Sequence, residues 1–283
     1  MNKIIACIDD SHMATSVCDT AIWASKRLAK PIMFLHTLEK TPQHGADDLT
    51  GTIGLGARSS LLEKMAILDE EQGKEAMQMG NELLATAVAR ANAAGIKTIE
   101  QKQRHGDFVE ALAALEAEAR LMVVGRSGQG HQGDFKAVGA HIERLIRQVN
   151  TAVVIAPESF TEPRNFMLAY DGRQVADEVL QRIIDGGLLK GATCHLVTIE
   201  NNERNQKEKF QQAKTRLAEE GFEVIASYLQ GDIYASLMEY YHEHNIALVI
   251  MGAFAHSKVR QFFLGSNTMR MIENCQTPLI VLK

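Results

Sequence analysis

The chain has 283 residues, 46% hydrophobic and 23% charged, the balance of a globular protein long enough for one large core or two smaller ones. Thirty Lys and Arg against thirty-five Asp and Glu give a formal charge of -5, which excludes a general electrostatic attraction to nucleic acid or an anionic membrane. No apolar run approaches the ~18 residues of a membrane span, the run after Met1-Asn2-Lys3 is too short for a secretory leader, and the scattered Cys7, Cys18, Cys194 and Cys275 suit a reduced, cytoplasmic protein.

The first expected strand is the apolar run from Lys3 that ends in Asp9. Leu35-His-Thr-Leu-Glu39 follows, then a turn-rich stretch, Thr41–Arg58, with Gly45, Gly51, Gly54 and Gly56. A helical pattern runs from about Ser59 to Ala94, with Leu61, Leu62, Met65 and Leu68 in its early turns. It reads either as a lid or partner-binding helix, or as a lengthened helix whose apolar stripe packs on a neighbouring unit. Asp107–Ala119 has Val109, Leu112 and Leu115 near helical spacing, and Asp107 suits an N-cap. Leu121–Val124 closes on Gly125, and Thr151–Ile155 is a last buried strand. Pro157–Pro163, bounded by two of five prolines, reads as a linker.

After the linker the same landmarks return in the same order. The run ending in Asp9 reappears as Phe166–Asp171, Leu35–Glu39 as Leu196–Glu200, and Gly95 as Gly221. Gly106-Asp107 pairs with Gly231-Asp232, Gly125 with Gly252, and Thr151–Ile155 with Thr277–Val281. The offset falls from near 161 to between 125 and 127, so the first unit carries about 35 extra residues between Glu39 and Gly95. Strands alternating with helices in each unit predict an α/β fold: two tandem, doubly wound, five-stranded parallel sheets of Rossmann-like type. The expected domains are 1–157 and 165–283, joined by 158–164. Two homologous units are further expected to meet as a pseudo-twofold pair.

In such a sheet ligands bind at the carboxyl ends of the strands. Adjacent first and fourth strands would bring Asp9 toward Gly125 and Asp171 toward Gly252. In the second unit, small residues at Gly252 and Ala255 would allow close backbone approach to phosphate. Gly265-Ser266 would open a helix whose N-terminus favours anions, with Lys258 and Arg260 adding charge.

On these residues the whole chain resembles two tandem universal stress protein domains, of the adenine-nucleotide alpha-hydrolase-like type. Nucleotide-binding members of that family carry an Asp closing strand one and a loop G-x2-G-x9-G-[ST] after strand four. The resemblance implies that the Asp meets the adenine end and that the loop holds ribose and phosphates. Asp171, Gly252, Gly265 and Ser266 match in position and spacing, with Ala255 in place of the second glycine. In the first unit Asp9, Gly125 and Gly128 match, but ten residues separate Gly128 from Gly139, and Ala140 replaces the hydroxyl residue. Contact between the units through the last strands, Ala152–Ala156 and Leu279–Leu282, is likewise implied by the resemblance.

Gly128-Gln-Gly-His-Gln-Gly133 satisfies the dinucleotide fingerprint, but after the fourth strand instead of the first. His242 and His244, two apart on a helix, point away from each other and make a poor metal pair. No catalytic base or metal site is identified. The reading is a stress-response regulator with ATP, accompanied by Mg2+, held mainly in the second unit and with at most slow hydrolysis. The alternatives are a ligand-free interaction scaffold, or a first pocket holding a different small molecule; a homodimer or an unknown protein partner stays open.

Overall fold

The computed structural model describes residues 2–38, 55–126, 135–253 and 265–283, apart from the side chains of 55–69 and 135–140. Its first half runs β1 (Lys3–Cys7), α1 (Ala14–Leu28), β2 (Ile32–Leu38), α2 (Leu55–Ala93), β3 (Ile99–His105), α3 (Phe108–Ala113), β4 (Ala119–Gly125), α4 (Phe135–Gln148) and β5 (Val153–Ala156). The second half repeats the order with β6 (Asn165–Ala169), α5 (Gln174–Gly186), β7 (Thr193–Ile199), α6 (Gln206–Glu219), β8 (Val224–Leu229), α7 (Ile233–Glu243), β9 (Val249–Gly252), α8 (Ser266–Asn274) and β10 (Leu279–Leu282).

Each half is a parallel five-stranded array, and the two join into one ten-stranded sheet ordered β3-β2-β1-β4-β5-β10-β9-β6-β7-β8. The join is antiparallel, with Leu279 opposite Ile155, Ile280 opposite Val154 and Val281 opposite Val153. The expected contact through the last strands is therefore present, as a hydrogen-bonded ladder. Alternate strand residues feed two cores. Ile4, Leu121, Val154, Leu168 and Ile280 pack under α1, α2, α5 and α6. Ile5, Met122, Val153, Met167 and Leu279 pack under α3, α4, α7 and α8. Apolar residues on both faces explain why the sequence shows continuous apolar runs instead of alternation.

The duplication extends to the backbone. Gly106 and Gly231 hold φ of +114° and +118°, a region that disfavours side chains. The following Asp107 and Asp232 are N-caps, accepting from Glu110 N–H at 3.0 Å and Ala235 N–H at 2.9 Å. The expected helix from Asp107 to Ala119 is shorter, ending at Ala113, with a 3-10 turn over Glu116–Glu118. There the Glu116 carboxylate accepts the Asn150 and Thr151 N–H groups, holding the turn against the entry to β5. Leu115 stays buried all the same.

The extra length of the first half forms one 39-residue helix, α2, against 14 residues in its counterpart α6. Leu84, Ala87 and Ala91 join the core on the α1 face, where α2 packs against β2, β3 and α1. Residues 70–75 and 77–79 are exposed, and the turn-rich stretch before the helix lies outside the described residues. The linker is pinned: Pro157 and Pro163 are buried, and Phe160 packs on Trp23 with ring centroids 5.7 Å apart. All four cysteines are free thiols, and burial pushes those of Cys18, Cys194 and Cys275 up to about 12. Among the described residues, no helix is long and apolar enough to cross a membrane.

Candidate functional site

In the second half β6 lies beside β9, with Leu168 opposite Ile250. Asp171 follows β6 by two residues and Gly252 closes β9, so both stand at the carboxyl end of the sheet. Gly172 (φ +78°) turns the chain, and a Cβ there would press on Gln206 Cγ at 3.2 Å. The Asp171 carboxylate accepts from Arg173 twice: from its N–H at 3.0 Å and from Nη1 at 2.9 Å. A carboxylate offers about four acceptor positions, and this side chain is 39% exposed, so acceptor capacity faces solvent.

Behind that carboxylate lies a polar network. Gln206, buried, donates from Nε2 to the carbonyls of Ile199 at 3.1 Å and Asp171 at 3.2 Å. Its Oε1 accepts from Asn201 N–H at 3.0 Å and Tyr228 O–H at 2.8 Å. Asn201 Nδ2 adds a second bond to the Asp171 carbonyl at 3.0 Å. Lys209 Nζ donates to Gly172 O at 2.8 Å and pairs with Glu203 at 3.0 Å. That ammonium and the Arg173 guanidinium outweigh desolvation and hold the Glu203 carboxyl below its usual value.

Beside that strand end, β9 and α8 are stitched together. Gly265 N–H donates to Ala253 O at 3.2 Å, Thr268 Oγ1 to Gly252 O at 3.2 Å, and Ala253 N–H to Leu282 O at 2.7 Å. Gly265 is the N-cap of α8 with no side-chain cap, and the exposed Ser266 is its first residue. The first-turn N–H groups therefore have no intrahelical acceptor and carry the positive end of the helix dipole. A Cβ at Gly252 would meet Val175 Cγ1 at 3.4 Å, an ordinary contact. The structure thus brings Gly252, Gly265 and Ser266 together beside the strand end that carries Asp171. Ala255, Lys258 and Arg260 lie outside the described residues.

The first half repeats the frame with different detail. β1 lies beside β4, so Asp9 and Gly125 share a sheet end. Asp9 Oδ1 accepts from Ser11 Oγ at 2.5 Å and from Ser11 N–H at 3.2 Å. His12 faces Glu158 of the linker at 3.6 Å. Gly128 and the rest of the fingerprint-like loop to Gly133 lie outside the described residues. Gly139 lies in the second turn of α4, which begins at Phe135, whereas Gly265 stands before the first turn of α8. Arg126, next to Gly125, reaches the other half, where Nη2 donates to Thr277 O at 3.3 Å.

Arg173, Asn201 and Gln206 escaped the sequence reading because they converge on Asp171 from separate elements and form no local motif. A second group was also missed: His195 Nδ1 lies 3.0 Å from Tyr240 Oη, and His244 stacks near both rings. Burial lowers the His195 pKa, with His244 adding to it. His242 lies against Tyr241 instead. Among the described residues, no group of three or more His, Cys, Asp or Glu is placed to hold a metal ion.

Two doubly wound parallel units in one chain place it among tandem Rossmann-like α/β proteins. The model of the Universal stress protein family matches residues 1–157 and 198–283, and the chain belongs to that family. The second match begins after Asp171, so that residue's equivalence to Asp9 rests on β6 lying beside β9 as β1 lies beside β4. The chain is 26% identical to Universal stress protein Slr1230 of Synechocystis sp. over 100% of both chains. It shares its fold with a universal stress protein from Archaeoglobus fulgidus (TM-score 0.71, 17% identity, 100% of this chain and 96% of that one). PA1789 from Pseudomonas aeruginosa, a functionally unknown protein, superposes with a TM-score of 0.61 at 14% identity, covering 100% of this chain and 92% of its own.

Proposed function

We propose that the chain is a stress-response regulator that binds an adenine nucleotide, ATP with Mg2+, mainly in its second crevice. The observation that carries this reading is the meeting of the Asp171 strand end with Gly252 and the N-terminus of α8, where Gly265 supplies no side-chain cap. Acceptor capacity on Asp171 suits the exocyclic amine of adenine, and the α8 N–H groups with the Ser266 hydroxyl suit phosphate oxygens. Ala255 would complete the loop over the ribose. Mg2+ would arrive on the phosphates, as it commonly does.

The first crevice, with Asp9, Gly125, Gly128 and Gly139, is proposed as the weaker site or as one for another small molecule. A helix that begins four residues before Gly139 engages that residue's N–H within the helix, whereas Gly265 leaves the α8 N–H groups available. The proposed domains are 1–157 and 165–283 with 158–164 between them, and the proposed setting is the cytoplasm, consistent with four free thiols.

The scaffold reading is favoured by one observation: Met77 and Met79 are 43% and 54% exposed on the part of α2 that the second half lacks. Mass spectrometry of purified, gently denatured protein separates the two. About one adenine nucleotide released per chain supports the nucleotide reading. No released nucleotide, together with no binding at millimolar ATP, supports the scaffold.

A further inference from the structure

A concavity lies where the two halves meet, on the face covered by α1 and α5. Its floor is apolar: Leu121 from β4, Ile250 from β9, and Ile280 and Leu282 from β10. Leu28 at the end of α1 and Ile183 of α5 wall it on either side. Its volume of about 380 Å³ falls within the range of small-molecule sites, roughly 300–1,000 Å³.

The mouth carries two guanidinium groups. Arg120 Nη2 donates to Gly186 O at 3.4 Å, and Arg182 Nη1 to Asn150 O at 3.2 Å. Both partners are main-chain carbonyls, which leaves most of the ten N–H donors of two arginines uncommitted by these bonds. Neither arginine is ion-paired among the described residues, although each lines the cleft. Asp185, the acidic side chain of the lining, is held by Gln181 Nε2 at 3.0 Å. The helix end at this mouth is the C-terminus of α5, closing at Gly186 with Gly187 as its left-handed cap. Its carbonyls carry partial negative charge, which disfavours a polyphosphate. Two cations beside a helix C-terminus, over an apolar floor, fit a single negative charge on an apolar body.

We propose that this junctional cleft binds an amphipathic monocarboxylate, its hydrocarbon chain on the Leu121–Ile280 floor and its carboxylate at Arg120 and Arg182. Guanidinium and carboxylate match in a two-pronged, charge-assisted geometry, which supplies the specificity that an apolar floor lacks. Because the floor is drawn from both halves of the chain, an occupant would bear on the β5–β10 junction without touching either crevice.

The test is titration calorimetry with decanoate, repeated with 1-decanol and with the Arg120→Gln/Arg182→Gln variant. The expected result is saturable decanoate binding at one site per chain, weakened at least about tenfold in the variant and for the alcohol. Saturating ATP should leave the decanoate isotherm unchanged, which keeps this site separable from the crevices. Retention of a wild-type melting profile by the variant shows that it is folded; the wild-type comparison of decanoate with decanol stands without it. Equal affinity for acid and alcohol, an unchanged isotherm in the folded variant, or no decanoate binding at millimolar concentration would overturn the proposal.

Discussion

Asp171 is presented to solvent by a network anchored on the buried Gln206. The Gln206 amide satisfies the carbonyls of Ile199 and Asp171, the Asn201 N–H and the Tyr228 hydroxyl at once. Removing that amide strands the buried Ile199 carbonyl and the partly buried Asn201 N–H and Tyr228 hydroxyl, and an unsatisfied buried group costs about 1–3 kcal/mol. Gln206→Ala should therefore destabilise the chain by at least about that amount in urea titration, and should weaken ATP binding by loosening the Asp171 turn. Gln206→Glu keeps an acceptor for Asn201 and Tyr228 but loses the donor to both carbonyls. It should fall on the destabilised side as well. Unchanged stability in both variants would show that the network is idle.

At the scale of elements, α2 is the part of the first half that departs most from its counterpart, and its packing is decided at Gly80. A Cβ there would lie 2.1 Å from Gln103 Nε2 and 2.5 Å from His36 Cδ2. Gln103 can swing aside, but His36 is buried and its Nδ1 lies 2.8 Å from Ile8 O. Gly80→Ala should thus cost about 1–3 kcal/mol through overpacking. Gly73, one helical segment earlier, has nothing within 4 Å. Gly73→Ala should stabilise by about 0.5–1 kcal/mol, the ordinary helix-propensity gain. Urea titration of the pair reads the opposite signs. The existence of α2, the apolar strands and the Asp107 and Asp232 caps was legible in the sequence because periodicity and capping are local signals. The close contact at Gly80 was not, since His36 and Gln103 come from two other strands. The early end of α3 depends on Glu116 meeting the entry to β5, which is equally non-local. In the crevice, the glycines and Ser266 were legible through their spacing. The network behind Asp171 was not, because no spacing links residues 173, 201 and 206 to one carbonyl.

The whole molecule is continuous across its duplicated halves. The β5–β10 ladder joins the two arrays, both core clusters contain residues from each half, and Arg126 reaches the Thr277 carbonyl. Neither half can lose its packing without exposing the apolar strand of the other. Calorimetric unfolding should accordingly show one cooperative transition, and two well-separated transitions would show that the junction is weak. Function, by contrast, should be unequal between the halves, since Gly265 stands at the N-terminus of α8 whereas Gly139 lies inside α4. Isothermal titration of ATP with Mg2+ into the wild type and the Asp171→Ala and Asp9→Ala variants tests this most directly. The expected result is about one nucleotide per chain, with affinity lost in Asp171→Ala and nearly unchanged in Asp9→Ala. Two equal sites, or loss with Asp9→Ala but not with Asp171→Ala, would contradict it.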